Sequence, residues 1–347
     1  MPGVILASSV LCPAGRGAEQ LWASVRAGIS RVGDSKVLNA SFGQISMGLV
    51  PEDALEPELP AELDALPLPS RARRMLRLGA PVLRTLLEQA GTPPVRLFLG
   101  LPELSVSQSP WLRGFALHLA KLAGMQIDAQ HSRVTPSGRP AALTALELAL
   151  QALEQDPQRP VIVGGVDTYL DLKLLATLQA EGRILGERVS DGFVPGEGAA
   201  FLVLAHPAVA GAAGNRAIAQ AAASAADPGH RAGTEPARGE GLAQALEQLR
   251  ARLSDQTPVN TTFAGLNGES FDAKQWGVAR LRHADFFAPA MLMEHPADCF
   301  GDAGAALGAV LLCLAAEAIT SGTRSAPALV WAAADGESRA CALLSSP

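Results

Sequence analysis

The stretch from Val161 to Leu204 reads VIVGGVDTYLDLKLLATLQAEGRILGERVSDGFVPGEGAAFLVL. It opens with an apolar run that ends in Gly164-Gly165, and it closes with a second apolar run, Phe201 to Leu204. Short apolar runs bounded by glycine are typical of buried strands. A leucine-rich segment that starts at Leu170 lies between the two runs and predicts a helix. The stretch therefore predicts a strand, a helix and a second strand in succession.

The composition favours a folded protein with a large interior. Hydrophobic residues make up 48% of the 347 residues and charged residues 18%, which argues against a disordered chain. The net charge of −6 provides no general surface for a phosphate backbone, and aromatic residues, at 4%, are too scarce for stacking on single strands. We therefore expect no nucleic-acid partner.

The chain has four cysteines, Cys12, Cys299, Cys313 and Cys341. Because they are far apart and include no Cys-x-x-Cys pair, they predict neither a zinc site nor a disulfide framework, and we expect reduced thiols in a cytoplasm. The histidines have no partners at metal-ligand spacing, so we expect no metal and no cofactor. The longest apolar helix, Ala305 to Ile319, is interrupted by Glu317 and is too short to span a bilayer.

Strand and helix patterns alternate along the chain, which predicts parallel or mixed sheets covered by helices. A glycine followed by an apolar helix and a buried strand occurs twice, over Gly138 to Val166 and over Gly301 to Trp331. This echo predicts two structural halves, residues 1–210 and residues 211–347. Residues 28–70 are rich in proline and acidic residues, and we predict a surface loop with short turns there.

Ten residues within the opening stretch, Asp191 to Ala200, read DGFVPGEGAA and follow the Gly164-Gly165 strand end. This combination resembles the centre of the β-ketoacyl synthase branch of the thiolase-like superfamily. The start of the chain is similar to that family as well, with a strand, a Pro-x-Gly turn at Pro13 and a helix that contains Leu21-Trp22. The resemblance covers nearly the whole chain and implies the thiolase-like α/β fold, with five αβαβα layers in two pseudo-symmetric halves.

The resemblance also implies that three catalytic positions of the family are changed in this chain. Family enzymes carry a cysteine nucleophile at the start of a buried helix, and two histidines complete the site. The matching positions here hold Arg139, Asn267 and Asp302. An arginine stays charged and is no nucleophile, and the amide of Asn267 does not exchange a proton near neutral pH. We therefore name no catalytic residue and do not expect the family's known mechanism.

The arginine at this position predicts a specific contact. A positive charge has the wrong sign for a helix N-terminus, and burying it without a partner would cost about 3–5 kcal/mol. In the family fold the cysteine and the second histidine are close neighbours. We therefore predict that Arg139 pairs with Asp302, with Asn267 nearby, so that the three side chains fill the former pocket. The alternative is that Arg139 turns into solvent.

Two other side chains near these positions are candidate nucleophiles. Cys299 stands three residues before Asp302, although a lone buried cysteine is more often a small apolar group than a reactive thiol. Ser137 precedes the glycine of the helix turn and would need a base, for which His131 is the nearest in sequence. A turn or cap is the commoner role of such a serine.

Two further pocket candidates follow from the motifs themselves. Phe300 belongs to the run that contains Asp302, and Glu197 is an acidic residue of the glycine motif. We interpret Glu197 as structural, with its carboxylate hydrogen-bonded to backbone amides, because the motif recurs where the chemistry of the family varies.

A run of arginines, Arg71, Arg73, Arg74 and Arg77, lies on a helix predicted from Arg71 to Ala90. Family enzymes use basic patches to dock acidic acyl carrier proteins, so these side chains are candidates for a carrier-protein surface. A solvated helix face is the commoner explanation of such a run.

The resemblance, together with the changed positions, favours a non-catalytic scaffold or adaptor, as found with bacterial type VI secretion effectors. The alternative is an acyltransferase or β-ketoacyl synthase-related subunit that acts on or binds acyl carrier protein thioesters, for example as the inactive partner of an active synthase. Because family members pair their central sheets edge to edge, we expect a homodimer, or a heterodimer with a related synthase-like chain. We expect a bacterial cytoplasmic protein, and we leave residual acyl transfer open.

Overall fold

The alternating apolar segments of the chain fold into strands and helices in the computed structural model, which describes residues 1–39, 42–87, 94–103, 109–211, 216–255 and 257–347. The strands are β1 (Gly3–Cys12), β2 (Gly15–Arg16), β3 (Val32–Leu38), β4 (Gln44–Gly48), β5 (Arg96–Gly100), β6 (Arg133–Thr135), β7 (Val161–Thr168), β8 (Glu197–Ala205), β9 (Ile218–Ala226), β10 (Val259–Ala264), β11 (Phe287–Glu294), β12 (Ala328–Ala333) and β13 (Ser338–Ser345). The helices are α1 (Ala18–Arg26), α2 (Ala61–Asp64), α3 (Ser70–Arg84), α4 (Leu112–Ala123), α5 (Ala141–Gln155), α6 (Leu172–Ala180), α7 (Glu240–Ala251), α8 (Ser270–Arg282), α9 (Ala297–Phe300) and α10 (Leu307–Thr320).

The opening stretch forms the strand, helix and strand that its pattern predicts. Strands β7 and β8 are buried along their whole length and pair antiparallel, with Gly164 opposite Phe201 and Gly165 opposite Ala200. Helix α6 connects them. Full burial on both faces explains why both strands have continuous apolar runs rather than alternation.

The strands form a long mixed sheet in the order β11-β10-β12-β13-β9-β1-β8-β7-β5-β6, with β2 beside β1. The strands from β1 to β6 in this order all come from residues 3–205, and those from β9 to β11 all come from residues 218–345. The two groups meet where β1 pairs with β9 over only Gly3–Ala219 and Val4–Ile218. The sheet thus consists of two parts with one short junction, while the domain boundary at residue 210 stays a prediction.

Helices cover and separate these two parts of the sheet. Helices α5 and α10 lie between them, since α5 contacts both β7 and β9 and α10 contacts both β8 and β12. Helix α3 packs on the outer side of β8 with α4 beside it, and α7 packs on β9 and β13 with α8 beside it. This order of helix, sheet, helix, sheet and helix confirms the five-layer α/β fold.

Part of the stretch predicted as surface loop, residues 28–70, is a β-hairpin, so that prediction is wrong there. Strands β3 and β4 pair antiparallel, and Ile45 and Met47 of β4 are buried in a small apolar cluster with Tyr169 and Phe193. The alternation of Ile45 and Met47 with polar neighbours is the signal of a half-buried strand. The many prolines and acidic residues of the flanking segments obscured it.

Two further boundaries differ from the sequence patterns. The helix predicted from Arg71 to Ala90 is α3, which ends at Arg84, and residues 88–90 of that prediction lie outside the described residues. Strand β11, at one edge of the sheet, was not predicted. No helix in the described part of the chain has the length and apolar character needed to cross a bilayer.

Candidate functional site

Arg139 lies at the start of α5, the buried helix between the two parts of the sheet. It follows Gly138, whose φ of 69° favours glycine and whose carbonyl accepts a hydrogen bond from the amide of Ala141. The side chain of Arg139 is only 3% exposed. The turn therefore directs a charged side chain into the interior, and the alternative of a solvent-facing Arg139 is wrong.

The predicted ion pair of Arg139 is confirmed. Its Nη1 donates to Oδ2 of Asp302 over 3.0 Å, its Nη2 to Oδ1 of Asp335 over 2.9 Å, and its Nε to the carbonyl of Ala333 over 2.7 Å. A third carboxylate, that of Asp272, lies 3.5 Å from Nη2. Burial opposes the charge, but the carboxylates of Asp335, Asp272 and Asp302 outweigh it and raise the pKa of Arg139 above its ordinary value.

The glycine motif of the opening stretch holds the backbone of Asp302. The amide of Asp302 donates to the carbonyl of Val194 and its carbonyl accepts from the amide of Gly196, both over 2.8 Å. A Cβ on Gly196 would lie 2.7 Å from the carbonyl oxygen of Phe300, so only glycine fits there without a shift. The motif thus places the carboxylate of Asp302 in front of Arg139.

Asn267 completes the predicted trio. Its Nδ2 donates to Oδ2 of Asp302 over 3.0 Å and to Oε2 of Glu269 over 3.2 Å, while its Oδ1 accepts from the amide of Glu269. The amide side chain therefore bridges two carboxylates that would otherwise repel each other.

A second arginine that the sequence patterns did not indicate enters the same site. Nη2 of Arg183 contacts Oε2 of Glu269 and its Nη1 contacts Oδ2 of Asp335, each over 2.8 Å. Arg231 reaches Oε1 of Glu269 over 3.0 Å from the other side. We call the whole group the charged cluster: Arg139, Arg183, Arg231, Asn267, Glu269, Asp272, Asp302 and Asp335.

The carboxylates of the charged cluster have opposite pKa shifts. Burial works against the charge of Asp335, but Arg139 and Arg183 lower the pKa of its carboxyl below the usual range. Burial raises the pKa of Asp272 to about 6, against the attraction of Arg139. Neither carboxylate oxygen of Asp272 has a hydrogen-bond partner among the described residues, which is consistent with this shift.

Glu197, the acidic residue of the glycine motif, is fully buried next to α3. It accepts hydrogen bonds from the amide of Val50 over 2.8 Å, from Nε of Arg74 over 2.6 Å and from the hydroxyl of Thr168 over 2.7 Å. The hydrogen bond from the amide of Val50 agrees with our interpretation of Glu197 as a structural residue bonded to backbone amides. The ion pair with Arg74 was not predicted. The contacts join α3 to the strands β7 and β8.

The fold described above is shared with known proteins. Residues 137–210 match the family model for the beta-ketoacyl synthase N-terminal domain, and no match was found among curated proteins. Among solved structures, the chain is similar to a type II PKS acyl-carrier protein in complex with its ketosynthase bound to the hexaketide, with a TM-score of 0.74 and 17% identity over 99% of each chain. It is also similar to the ishigamide ketosynthase/chain length factor, with a TM-score of 0.72 and 17% identity over 100% of this chain and 99% of that chain.

A third similar structure is an oxazolomycin ketosynthase domain of Streptomyces albus JA3453, with a TM-score of 0.74 and 19% identity over 99% of this chain and 74% of that chain. The chain has the thiolase-like fold of the ketosynthases.

Cys299 and Phe300 belong to the apolar core between the two parts of the sheet, with exposures of 7% and 0%. Burial, followed by the charge of Asp298, raises the pKa of the Cys299 thiol, which disfavours the thiolate. The hydroxyl oxygen of Ser137 is buried and has no hydrogen-bond partner among the described residues. His131, its nearest base in sequence, pairs instead with Asp128 over 2.9 Å. Cys299, Phe300 and Ser137 are therefore not members of the charged cluster.

The arginine run of α3 is neither a free basic patch nor a solvated face. Arg71 pairs with Asp167 over 2.8 Å, Arg74 with Glu197 over 2.6 Å, and Arg77 with Glu52 over 3.0 Å. Arg73 pairs with Asp64. Both interpretations of the run are therefore corrected, because its charges are offset within the chain.

The residues of the charged cluster limit its chemistry. Its members are arginines, carboxylates and one amide, so it contains no thiol, hydroxyl or imidazole that could act as a nucleophile. Within the described residues, no group of three or more histidine, cysteine, aspartate or glutamate side chains is arranged to hold a metal ion. The cluster can pair buried charges of opposite sign within the chain. The pKa of Asp272, raised to about 6, allows its carboxyl to exchange a proton near neutral pH.

Proposed function

We propose that this ketosynthase-like chain is a non-catalytic subunit that acts by pairing with another protein, as the inactive partner of an active synthase. The observation that carries the proposal is the guanidinium of Arg139 at the start of α5, where it uses Nε, Nη1 and Nη2 in contacts with Ala333, Asp302 and Asp335. A guanidinium has no free lone pair to attack a thioester, and it does not release a proton at physiological pH.

The similarity to a ketosynthase/chain length factor structure supports the choice of partner. Its low identity carries no function by itself, so the heterodimer is proposed from the fold together with the filled site. A strand edge that is unpaired among the described residues supports an edge-to-edge contact as well. Strand β6 ends the sheet on one side, and Val134 at its centre is 37% exposed. We propose β6 as the edge that meets the partner chain.

The alternative is a subunit that still binds or transfers acyl groups from acyl carrier protein. The similar structure that contains an acyl-carrier protein supports it. The internal ion pairs of the α3 arginines count against docking through that run, because their charges are already offset. The role with a bacterial secretion effector remains a prediction that no contact described above favours, and the domain boundary at residue 210 remains a prediction as well.

The experiment that separates these functions is intact mass spectrometry after incubation with acyl carrier protein thioesters. We expect no covalent acyl adduct on the purified chain. A stable adduct that disappears in Cys299→Ala or Ser137→Ala would favour the enzymatic alternative. Native mass spectrometry of the chain co-expressed with an active ketosynthase from the same source is the second arm. A one-to-one complex is expected there, and homodimers alone would contradict the proposed pairing.

A further inference from the structure

A cavity of about 230 Å³ adjoins the charged cluster and reaches the side chains of Arg139 and Asp335. The volume corresponds to about eight molecules of liquid water. Leu174 and Leu178 of α6, together with Pro102, form an apolar wall. The cavity therefore has room for a small molecule with a short aliphatic part.

Tyr169, the single tyrosine of the chain, lines this cavity. The residue is 8% exposed, and its ring packs edge-on against Phe193 with 5.3 Å between the ring centroids. Among the described residues no side chain or backbone group makes a hydrogen bond with its hydroxyl. The hydroxyl is therefore left to bond with water or with a ligand in the cavity that Tyr169 lines.

The surroundings keep this hydroxyl protonated. Burial and the carboxylate of Asp302 raise the pKa of Tyr169 well above its ordinary value, although Arg139 opposes them. The phenol therefore keeps its proton over the whole physiological range and can donate it to an acceptor such as a carbonyl oxygen.

The charges around the cavity disfavour an anionic ligand. The three arginines of the charged cluster face four carboxylates, and the charge of Arg71 at the cavity wall is offset by Asp167. Glu103 adds a further carboxylate to the lining. Its Oε2 accepts a hydrogen bond from the amide of Gly336, and a carboxylate can accept several more. A ligand that also donates a hydrogen bond would fit this excess of acceptors.

We propose that this cavity binds a small neutral carboxamide with a short aliphatic chain, whose carbonyl oxygen accepts from Tyr169 and whose N–H group donates to Glu103. The aliphatic part lies against Leu174 and Leu178. A second, more open groove of about 660 Å³ shares Arg71 and Leu174 with the cavity and leaves room for a longer substituent. The site is independent of whether the chain pairs with a synthase.

Three probes of the same size and different chemistry test the proposal: hexanamide, methyl pentanoate and hexanoate. Labelling tyrosine with carbon-13 at Cζ gives one protein signal in the NMR spectrum, because the chain has one tyrosine. We expect a saturable shift of this signal with hexanamide, a weaker effect with the ester, which has no N–H group, and the weakest with the anion. Tighter binding of hexanoate, or no saturable shift with any probe, would overturn the proposal.

Variants assign the two contacts by isothermal titration calorimetry. Tyr169→Phe keeps the ring and removes the donor, and it should weaken hexanamide binding on the order of tenfold. Glu103→Gln tests the acceptor and should weaken hexanamide more than methyl pentanoate. Leu178→Trp fills the cavity and should abolish binding of all probes, with circular dichroism as the check of folding. Unchanged hexanamide affinity in a folded Tyr169→Phe or Glu103→Gln variant would contradict the assigned contacts.

Discussion

Arg139 and Asp302 stand 163 positions apart in the chain and form a buried ion pair with 3.0 Å between Nη1 and Oδ2. The arginine belongs to the first part of the sheet and its covering helices, and the aspartate precedes α10 of the second. Their contact joins the starts of the two buried helices, α5 and α10. It occupies the place where the resemblance to ketosynthases expects a nucleophile and a histidine, which is why the proposed function depends on it.

Arg139→Met tests the weight of this contact. The variant leaves the carboxylates of Asp302, Asp335 and Asp272 without their shared cation, and breaking a buried pair in this way costs about 3–5 kcal/mol of the free energy of unfolding. Urea unfolding at neutral pH measures the loss. Lys121→Met is the matched control, because it removes an exposed ion pair with Glu62 and should leave the free energy of unfolding nearly unchanged.

The double variant Arg139→Met, Asp302→Asn separates the pair from the rest of the charged cluster. Because the two side chains contact each other, the combined loss should be smaller than the sum of the single losses by about 0.5–3 kcal/mol. Additive losses would show that the pair contributes little beyond the separate contacts of each residue.

Asp272→Asn tests the buried carboxylate whose pKa burial raises from 3.8 to about 6. A raised pKa in the folded state means that ionisation is penalised there. The penalty is absent below the unfolded pKa, grows as the pH rises through the interval, and is complete above the folded pKa. The shift of about two pKa units corresponds to roughly 3 kcal/mol.

An asparagine cannot ionise, so Asp272→Asn escapes this penalty. Relative to the unchanged chain, the variant should become more stable as the pH rises from about 4 to about 7. Urea unfolding of both proteins at several pH values measures the difference, which cancels the contributions of all other titrating groups. A difference that is constant with pH would mean that Asp272 has an ordinary pKa.

Much of this site could be predicted from local motifs. The DGFVPGEGAA run identifies β8 and the turn before it. Matching the chain to the catalytic motifs of the family correctly predicted that Arg139, Asn267 and Asp302 lie together. The ion pair itself followed from the cost of a buried cation, which requires an anion nearby. Such inferences succeed where a conformation or a charge leaves few alternatives.

Arg183 and Glu269 show where the sequence was insufficient. They stand 86 positions apart, and nothing in the local pattern of either residue indicates that a turn after α6 reaches the start of α8. Strand β11 was missed because Pro289 interrupts its apolar run, and a proline argues against a strand except at the edge of a sheet, where β11 lies. In both cases tertiary contacts decide the structure.

Gly165→Ala tests the close packing of the glycine pair in β7 against the start of α10. A Cβ at this position would lie 2.3 Å from the carbonyl oxygen of Ala305, which is backbone and cannot move aside easily. Overpacking of this kind costs about 1–3 kcal/mol or more. Gly186→Ala is the control, because a Cβ there meets nothing within 4 Å. That change should be neutral or stabilising by about 0.4–1 kcal/mol, since alanine restricts the unfolded chain.

The two variants should therefore shift the midpoint of thermal unfolding in opposite directions or by clearly different amounts. Equal shifts of the unfolding midpoint would mean that position 165 has more space for a side chain than its distance to Ala305 indicates. The comparison also tests why this strand ends in two glycines, because Gly164 would place a Cβ 2.4 Å from the carbonyl oxygen of Ala200.

Thiol labelling tests whether Cys299 is reactive, which the enzymatic alternative requires. All four cysteines are buried, and burial raises the pKa of Cys12 to about 12 and that of Cys299 above its ordinary value. A maleimide reagent near pH 7 should therefore leave the native chain unlabelled in intact mass spectra and label four thiols in denaturant. Lys121→Cys provides the positive control, because it places a thiol on an exposed helix face, where one fast adduct is expected. A single fast adduct on the unchanged chain that is lost in Cys299→Ala would contradict the buried thiol and reopen covalent acyl transfer as the function.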